Sequence, residues 1–391
     1  MSARFATVDA LRGFAALWVF AYHLWNVYCP ACSAQVEPIP IGLDAPVAVV
    51  ATFPVFAYGY AGVGLFFVLS GFCIHLPQAR RFRAKGADAL DVREFGRRRF
   101  WRLYPAFLAS LFLAALGLGA MNAVWAEPPG PDGFTREYIL KAFGLSWILP
   151  NAVFALPLAP AAQKLNPVAW TLLYELQFYL LYPLLLKVVR RVGFGPVAGV
   201  LLACELAFAF VPTPDTLEPL SPHFAYFFLR RYFDWFLGMW LAERLMAGKP
   251  LSATWGKRLL LVGLVGGPLA SGFAVSWPLH ELLFVIGAAG LVAWAVANPA
   301  APPNRVARAL APVGEWSYSL YLVHMSVMRL VFAGHAALPD DVRSGWTFAA
   351  AGLTCAAGVP LTAWVWYRLF EKPYLPKPSA AKAAAHHPSF A

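Results

Sequence analysis

"GYAGVGLFFVLSGFCIHLPQARRFRAKGADALDVREFGRRRFWRLYP", residues 59–105, is the stretch that decides the fold. Its first half is an apolar run with several glycines, and its second half contains nine Arg and Lys. An apolar run that is long enough to cross a bilayer and ends in a basic cluster is typical of a membrane helix that enters the cytoplasm. The stretch predicts a membrane-spanning helix followed by a cytoplasmic loop.

The composition extends this prediction to the whole chain. Of the 391 residues, 60% are hydrophobic and 13% are charged, and the mean hydropathy is +0.59, well outside the range of soluble globular proteins. The formal net charge of +11 arises from Lys and Arg that cluster between apolar runs, so we predict a lipid bilayer as partner and no nucleic acid. The predicted fold is all-α, a polytopic transmembrane helix bundle.

Eleven apolar stretches have the roughly 20 residues that a membrane span requires. They are residues 8–27, 56–76, 104–122, 138–158, 168–187, 193–212, 226–246, 258–275, 277–297, 314–333 and 346–368. The stretch near 138–158 is interrupted by Gly144, Pro150 and Asn151, and we assign it to a re-entrant or interfacial segment on the outer side. About ten spans then remain, which places the basic clusters and both termini in the cytoplasm.

The chain contains one predicted domain. We assign residues 1–376 to a transmembrane domain and residues 377–391 to a disordered cytoplasmic tail. The apolar stretch that begins near Val8 is predicted to be a retained helix and not a cleaved signal peptide. The five Cys form no disulfide framework, and the pair Cys29 and Cys32 lacks nearby His or further Cys, so no metal site is predicted.

Two ionisable residues lie in the first predicted span. Arg12 falls near its cytoplasmic end and His23 in its outer half, roughly 16 Å apart along the axis and on nearly the same face. Ionisable side chains within a span usually face a polar interior. The structural alternative is that Arg12 reaches the lipid headgroups and His23 makes one interhelical hydrogen bond.

The basic loop ends in "RRRFWRLYP", residues 97–105, just before the next span. Arg99 and Arg102 are three residues apart, so they share a helix face, and their guanidinium groups can converge on one polyanion. Adenosine and diphosphate groups would suit such a site. The alternative is that these arginines only set the topology.

Two further spans carry polar residues. Glu175 lies inside an otherwise apolar span at roughly the depth of His23, and it is either functional or a structural partner for an Arg or Tyr. Ser317, Tyr321 and His324 share one face of another span. Such a face either lines a polar cavity or packs by hydrogen bonds.

A resemblance to a known family rests on seven motifs and their order. They are "LRGFAALWVFAYH", "GYAGVGLFFVLSGF", "RFWRLYP", "AWTLLYELQFYLLYP", "RRYFDWFLGMWLA", "EWSYSLYLVH" and "YRLFEKP". From Asp9 to Pro373 the chain resembles the membrane acyltransferase-3 family, whose members O-acetylate lipopolysaccharide, exopolysaccharide and other sugar acceptors.

The resemblance implies an enzyme of the bacterial inner membrane that uses cytoplasmic acyl-CoA. Acetyl-CoA is the default co-substrate, and no permanently bound cofactor is expected. By the same resemblance Arg12 and His23 are catalytic, Glu175 supports them, and Arg99 and Arg102 bind the coenzyme. Trp170, Ser317, Tyr321 and His324 are the residues predicted to line the substrate cavity.

The requirements of the chemistry lead to similar residues. Acyl transfer to a sugar hydroxyl needs a base whose pKa lies near the working pH, which His23 supplies, with Glu175 as a possible orienting partner. A glycine-lined path beside Gly62, Gly64 and Gly71 would let the pantetheine chain of acyl-CoA approach closely.

Ser70 lies on the same helix as these glycines and is a further candidate contact for acyl-CoA. Its hydroxyl can act as an acyl-carrying nucleophile. No base is adjacent to it in sequence, so direct transfer from acyl-CoA is the preferred interpretation. The predicted function is a membrane O-acyltransferase that moves an acyl group, by default acetyl, to a hydroxyl of a glycan or lipid-linked sugar such as O-antigen or exopolysaccharide.

Two other classes of protein fit the composition. A secondary transporter is the alternative function, because Arg, His and Glu inside a membrane also form proton and substrate relays. Against it, the two halves of the chain lack matching broken helices, and the basic residues concentrate in one loop. A signalling or polymer-assembly membrane protein without catalysis is the third class.

Overall fold

A computed structural model of the chain describes residues 3–28, 58–85, 90–124, 145–153, 165–210, 228–273, 277–297 and 303–375. The described residues form α-helices with short 3₁₀ and π-helical turns and contain no strand, which confirms the all-α prediction. The predicted tail, 377–391, and the cysteine pair Cys29 and Cys32 lie outside the described residues.

Within the part of the chain that the structure describes, twelve helices are numbered here in chain order. They are α1 (Ala3–Tyr28), α2 (Ala61–Lys85), α3 (Val92–Val124), α4 (Leu145–Ala152), α5 (Ala169–Val192), α6 (Phe194–Phe210), α7 (Tyr232–Met246), α8 (Ala253–Leu261), α9 (Trp277–Ala297), α10 (Arg305–Glu315), α11 (Ser317–Ala336) and α12 (Gly345–Trp366). A π-helical turn, Val262–Gly266, extends α8 into Gly267–Gly272, and a second one, Tyr367–Glu371, extends α12.

Each of the ten predicted spans overlaps a helix of the described residues. Among the described residues, five segments are long and apolar enough to cross a membrane by length and composition: Ala61–Ala84, Val92–Met121, Ala169–Val192, Leu279–Ala297 and Gly345–Tyr374. Large apolar side chains such as Phe112, Leu180 and Leu361 are exposed on the outside of the bundle, as lipid-facing side chains are. The fold is a helical membrane bundle, and the exact number of spans stays a prediction.

The segment predicted to be re-entrant or interfacial contains a short helix. Within 138–158 the structure describes residues 145–153, of which Leu145–Ala152 form the eight-residue helix α4. Eight residues rise about 12 Å, less than half of a bilayer core of about 30 Å. The described part of this segment is therefore too short to span the membrane.

Glycines bring the backbones of α2 and α7 into contact. A Cβ atom on Gly71 would lie 1.9 Å from the carbonyl oxygen of Trp235, and one on Gly238 would lie 1.8 Å from that of Val68. Only residues without a side chain fit at such a crossing. Gly71 is thus a packing residue between two helices.

Neighbouring helices also occupy the space beside the other two glycines of the expected path. A Cβ atom on Gly62 would lie 2.8 Å from the side chain of Val19, and one on Gly64 would lie 2.8 Å from that of Val285. The expectation that these glycines and Gly71 line an open path for pantetheine is wrong. Small residues permit either a path or a close helix crossing, and here they permit the crossing.

Candidate active site

A cavity of about 140 Å³ lies between α1, α2, α3, α5 and α11. This volume accommodates on the order of ten water molecules. Seven of the residues singled out from the sequence line it: Arg12, Ser70, Arg99, Arg102, Glu175, Ser317 and Tyr321. Because they come from five helices, the fold brings together residues that are far apart in sequence.

Three arginines give this cavity a strongly basic lining. Arg99 and Arg102 point into it from one face of α3, as their spacing predicted, and Arg12 joins them from α1. The guanidinium group of Arg99 lies over the ring of Tyr179 at 5.8 Å. Arg12 has an acidic neighbour in Asp9 at 3.7 Å. The arrangement suits an anionic ligand whose charged groups reach the cavity.

Glu175 is held by hydroxyl groups and not by a histidine. The Ser70 hydroxyl donates to Oε1 of Glu175 at 3.1 Å, and the Tyr179 hydroxyl donates to the same oxygen. The indole N–H of Trp235 donates to Oγ of Ser70 at 3.2 Å. The expectation that Glu175 orients His23 is therefore wrong, since Glu175 is part of a hydrogen-bond network between α2, α5 and α7.

His23 instead contacts His324 of α11. Nδ1 of His23 lies 2.9 Å from the carbonyl oxygen of Val19 and 3.2 Å from Nε2 of His324. Nδ1 of His324 lies 2.8 Å from the carbonyl oxygen of Tyr321. Neither histidine is among the described residues that line the cavity. The predicted site is thus divided into a basic cavity and a histidine pair.

These contacts assign the protons on the two imidazole rings. A carbonyl oxygen only accepts hydrogen bonds, so Nδ1 of each neutral ring must carry the proton. Nε2 of His324 then accepts from Nδ1–H of His23, which is shared with the Val19 carbonyl. Nε2 of His23 keeps its lone pair, as a general base requires.

Tyr321 stands between the cavity and the histidine pair. Its side chain lines the cavity, and its ring centroid lies 5.8 Å from that of His324. The Thr171 hydroxyl donates to the Tyr321 hydroxyl at 2.9 Å, which in turn donates to the Val168 carbonyl at 3.3 Å. The hydroxyls of α11 therefore line the cavity and also pack by hydrogen bonds. Both alternatives that the sequence left open apply to this helix.

Trp170 is not among the described residues that line the cavity, although its neighbour Thr171 is. Its ring meets that of Tyr174 edge to face at 5.9 Å, which makes it a packing residue here. Sequence reasoning missed Cys73 and Tyr179, which do line the cavity. Tyr179 could have been found, because it lies four residues after Glu175 on the same helix face.

A second group of charges, which sequence reasoning also missed, lies between α6, α7 and α9. Nε of Arg231 is 2.8 Å from Oδ2 of the fully buried Asp234, and the guanidinium group also contacts Glu281. Glu205, Arg231 and Glu281 line one small pocket. The signal for this cluster was present in "RRYFDWF", residues 230–236, where charged residues enter an apolar span.

Comparisons with known proteins find relatives that cover most of the chain. The family model of the acyltransferase domain, acyltransferase-3, matches residues 5–366. Acyltransferase MdmB of Streptomyces mycarofaciens is 27% identical over 379 residues, which cover 90% of this chain and 86% of that protein. Exopolysaccharide production protein ExoZ of Rhizobium meliloti is 26% identical over 352 residues, which cover 84% of this chain and 94% of that protein. No solved structure matches the chain.

The family model covers nearly the whole chain, and the described helices include long apolar segments of the kind that cross membranes. The chain belongs to the acyltransferase-3 family and is a multi-pass membrane enzyme that transfers acyl groups.

Proposed function

We propose that this protein is an O-acyltransferase of the bacterial inner membrane. It moves an acyl group, by default acetyl, from cytoplasmic acyl-CoA to a hydroxyl of a glycan or lipid-linked sugar. The name of one relative supports such an acceptor, because ExoZ is an exopolysaccharide production protein. Both termini lie in the cytoplasm in this proposal, as the positions of the basic clusters require.

The observation that carries the proposal is the convergence of Arg12, Arg99 and Arg102 on one cavity. The phosphates of acyl-CoA need concentrated positive charge, which planar guanidinium groups supply with hydrogen bonds in a fixed geometry. Arg99 and Arg102 lie near the end of α3 that the charge pattern assigns to the cytoplasm. Acyl-CoA therefore enters from the cytoplasmic side, with its phosphates at the arginines and its thioester deeper in the bundle.

The acceptor hydroxyl is activated on the outer side of Tyr321. His23 Nε2 takes the hydroxyl proton while the acceptor oxygen bonds to the acyl carbon. In direct transfer the C–S bond of the donor then breaks, and the CoA thiolate takes up the proton and leaves as CoA–SH. His324 holds the His23 ring in the required tautomer through its contact at 3.2 Å. Tyr321 lines the cavity and its ring centroid lies 5.8 Å from that of His324, so the histidine pair is adjacent to the proposed donor site.

Labelled acetyl-CoA incubated with membranes that contain the protein tests this function. We expect label to move to glycan, or to water when acceptor is absent, and the transfer to depend on the protein. Movement of unmodified solute without transfer of label would instead support the secondary transporter. Membranes that do neither would show that this chain does not use acetyl-CoA, and would contradict the proposal.

Arg99→Ala and Arg102→Ala are expected to raise KM for acyl-CoA by roughly 10- to 100-fold with little change in kcat. Charge-assisted contacts that are remote from the reacting carbonyl stabilise the bound substrate and the transition state equally, so their loss weakens binding without slowing the chemical step. Lys replacements should restore binding only in part, since an ammonium group lacks the planar guanidinium group that donates two parallel hydrogen bonds to a phosphate. Initial rates on reconstituted vesicles, with acyl-CoA confined to one side, measure both constants.

Arg98→Ala is the matched control for these variants. Arg98 is exposed, pairs with Glu94 at 3.2 Å, and lies outside the residues that line the cavity in the described structure. We expect it to leave both constants unchanged. A fall in kcat at constant KM for Arg99→Ala or Arg102→Ala would contradict the proposed coenzyme site.

A further inference from the structure

The cavity places a serine hydroxyl against a carboxylate. Oγ of Ser70 lies 3.1 Å from Oε1 of Glu175, although the two residues are 105 positions apart. Both side chains line the cavity whose arginines are proposed to bind the phosphates of acyl-CoA, and Ser70 lies near the middle of α2. This distance is within the hydrogen-bond reach that a nucleophile and its base need.

Neighbouring groups fix the direction of the Ser70 proton. The indole N–H of Trp235 donates to Ser70 Oγ at 3.2 Å and occupies one of its acceptor positions. The Ser70 proton is then directed at Glu175, whose Oε1 also accepts from Tyr179. Nucleophile, base and orienting group form the arrangement that activated hydroxyl nucleophiles share.

Arginines that line the same cavity can hold the phosphates of acyl-CoA on the cytoplasmic side of Ser70. Arg99 lines the same cavity, and its guanidinium group lies 5.8 Å from the ring centroid of Tyr179, which is hydrogen-bonded to Glu175. Arg102, one helical turn further on, lines the cavity as well.

We propose that Ser70 carries the acyl group as an ester between the two halves of the reaction, with Glu175 as its base. This inference rests on the proposed function, because acyl-CoA is the donor. Ser70 Oγ bonds to the acyl carbon and its proton passes to Glu175. The C–S bond breaks, and the CoA thiolate takes that proton and leaves as CoA–SH.

The second half transfers the acyl group to the acceptor. The acceptor oxygen bonds to the acyl carbon of acyl-Ser70, its proton passes through His23, and the ester bond breaks. Ser70 Oγ takes up the proton and is regenerated. Two half-reactions explain why one site holds two candidate bases, with Glu175 inside the cavity and His23 beyond Tyr321.

The acyl-serine replaces the direct transfer that the sequence favoured. Direct transfer was preferred because no base is adjacent to Ser70 in sequence. The fold supplies that base from α5.

Purified full-length protein mixed with labelled acetyl-CoA, without acceptor, tests the inference. We expect an acetyl group on the peptide that contains Ser70, together with a burst of CoA about equal to the amount of enzyme. Ser70→Ala should lose both the label and the burst. Thr354→Ala is the control, because this exposed hydroxyl on α12 bonds only locally to the Ala350 carbonyl at 2.8 Å, and both signals should persist.

The chemical stability of the label distinguishes Ser70 from its neighbour Cys73, which also lines the cavity. An oxygen ester resists neutral hydroxylamine and a thioester does not. Label that neutral hydroxylamine removes from the wild-type protein would assign the acyl group to Cys73 and overturn the inference. Should Ser70→Ala fail to fold, Ser70→Cys retains a nucleophile, and we expect it to carry hydroxylamine-sensitive label at position 70.

Transfer to glycan in the same preparations separates this inference from the proposed function. If the wild-type protein transfers label while Ser70 stays unmodified, and Ser70→Ala keeps more than about a tenth of the turnover, the acyl-serine is overturned and the function stands. If the wild-type protein neither releases CoA nor moves label, the proposed function fails, and the acyl-serine fails with it.

Discussion

His23→Ala is expected to lower kcat for acyl transfer by about 10²- to 10⁴-fold while the protein still inserts at normal abundance. The imidazole is the proposed base for the acceptor hydroxyl, and its Nε2 is the nitrogen left with a lone pair by the contacts to Val19 and His324. Loss of a base slows the chemical step itself, so KM for acyl-CoA should change little.

His335→Ala is the matched control. His335 lies in the last turn of the same helix as His324, near Thr347 at 3.3 Å, and takes no part in the proposed chemistry. Acyl transfer to glycan by purified, reconstituted variants measures the effect. A His23→Ala protein that keeps more than about a tenth of the wild-type turnover would make His23 a structural residue.

Formation of the acyl-serine provides a second readout of the same variant. If Ser70 is acylated in the first half-reaction, His23→Ala should still release its burst of CoA and hold the label. Turnover would then stop at the second half-reaction. Loss of the burst together with turnover would instead place His23 in the first step and contradict the division of roles between His23 and Glu175.

The helices and the basic end of the site could be predicted from the sequence. Long apolar runs specify membrane helices almost by themselves, because unsatisfied backbone groups are too costly in lipid. The three-residue spacing of Arg99 and Arg102 fixed their common face, and the structure brings both to one cavity. These inferences needed only periodicity within one helix.

Inferences about contacts between helices were less successful, for a physical reason. Glu175 and His23 were expected to meet because they lie at similar depth, but depth does not determine the rotation of each helix about its axis. The structure turns Glu175 toward Ser70 and His23 toward His324. Likewise the glycines of α2 were compatible with an open path or a tight crossing, and only the position of α7 decides between them.

Arg231→Leu is expected to destabilise the protein by about 3–5 kcal/mol, a large part of the whole stability of a typical domain. Arg231 lies between two carboxylates, the fully buried Asp234 and the partly buried Glu281. Removing the guanidinium group leaves negative charges in a medium that does not solvate them. Thermal unfolding and the yield of monodisperse protein in detergent measure the loss.

The chain offers a matched control with the same spacing at its surface. Arg343 pairs with Asp340, also three residues away, and the side chain of Asp340 is 89% exposed. Arg343→Leu should cost less than about 1 kcal/mol, because water solvates the carboxylate that remains. Equal losses of stability for the two variants would show that the contribution of the Arg231 ion pairs to stability does not depend on their burial.

A triple variant identifies why Arg231→Leu loses stability. In Arg231→Leu combined with Asp234→Asn and Glu281→Gln, no unpaired charge from the two ion pairs is left behind, so most of the stability should return. Recovery would show that the loss of stability in Arg231→Leu comes from the unpaired carboxylates that remain. It would not then come from lost packing of the Arg231 side chain against Phe67. If the triple variant stays as unstable as Arg231→Leu, packing holds this part of the bundle together, and the ion pairs contribute little to it.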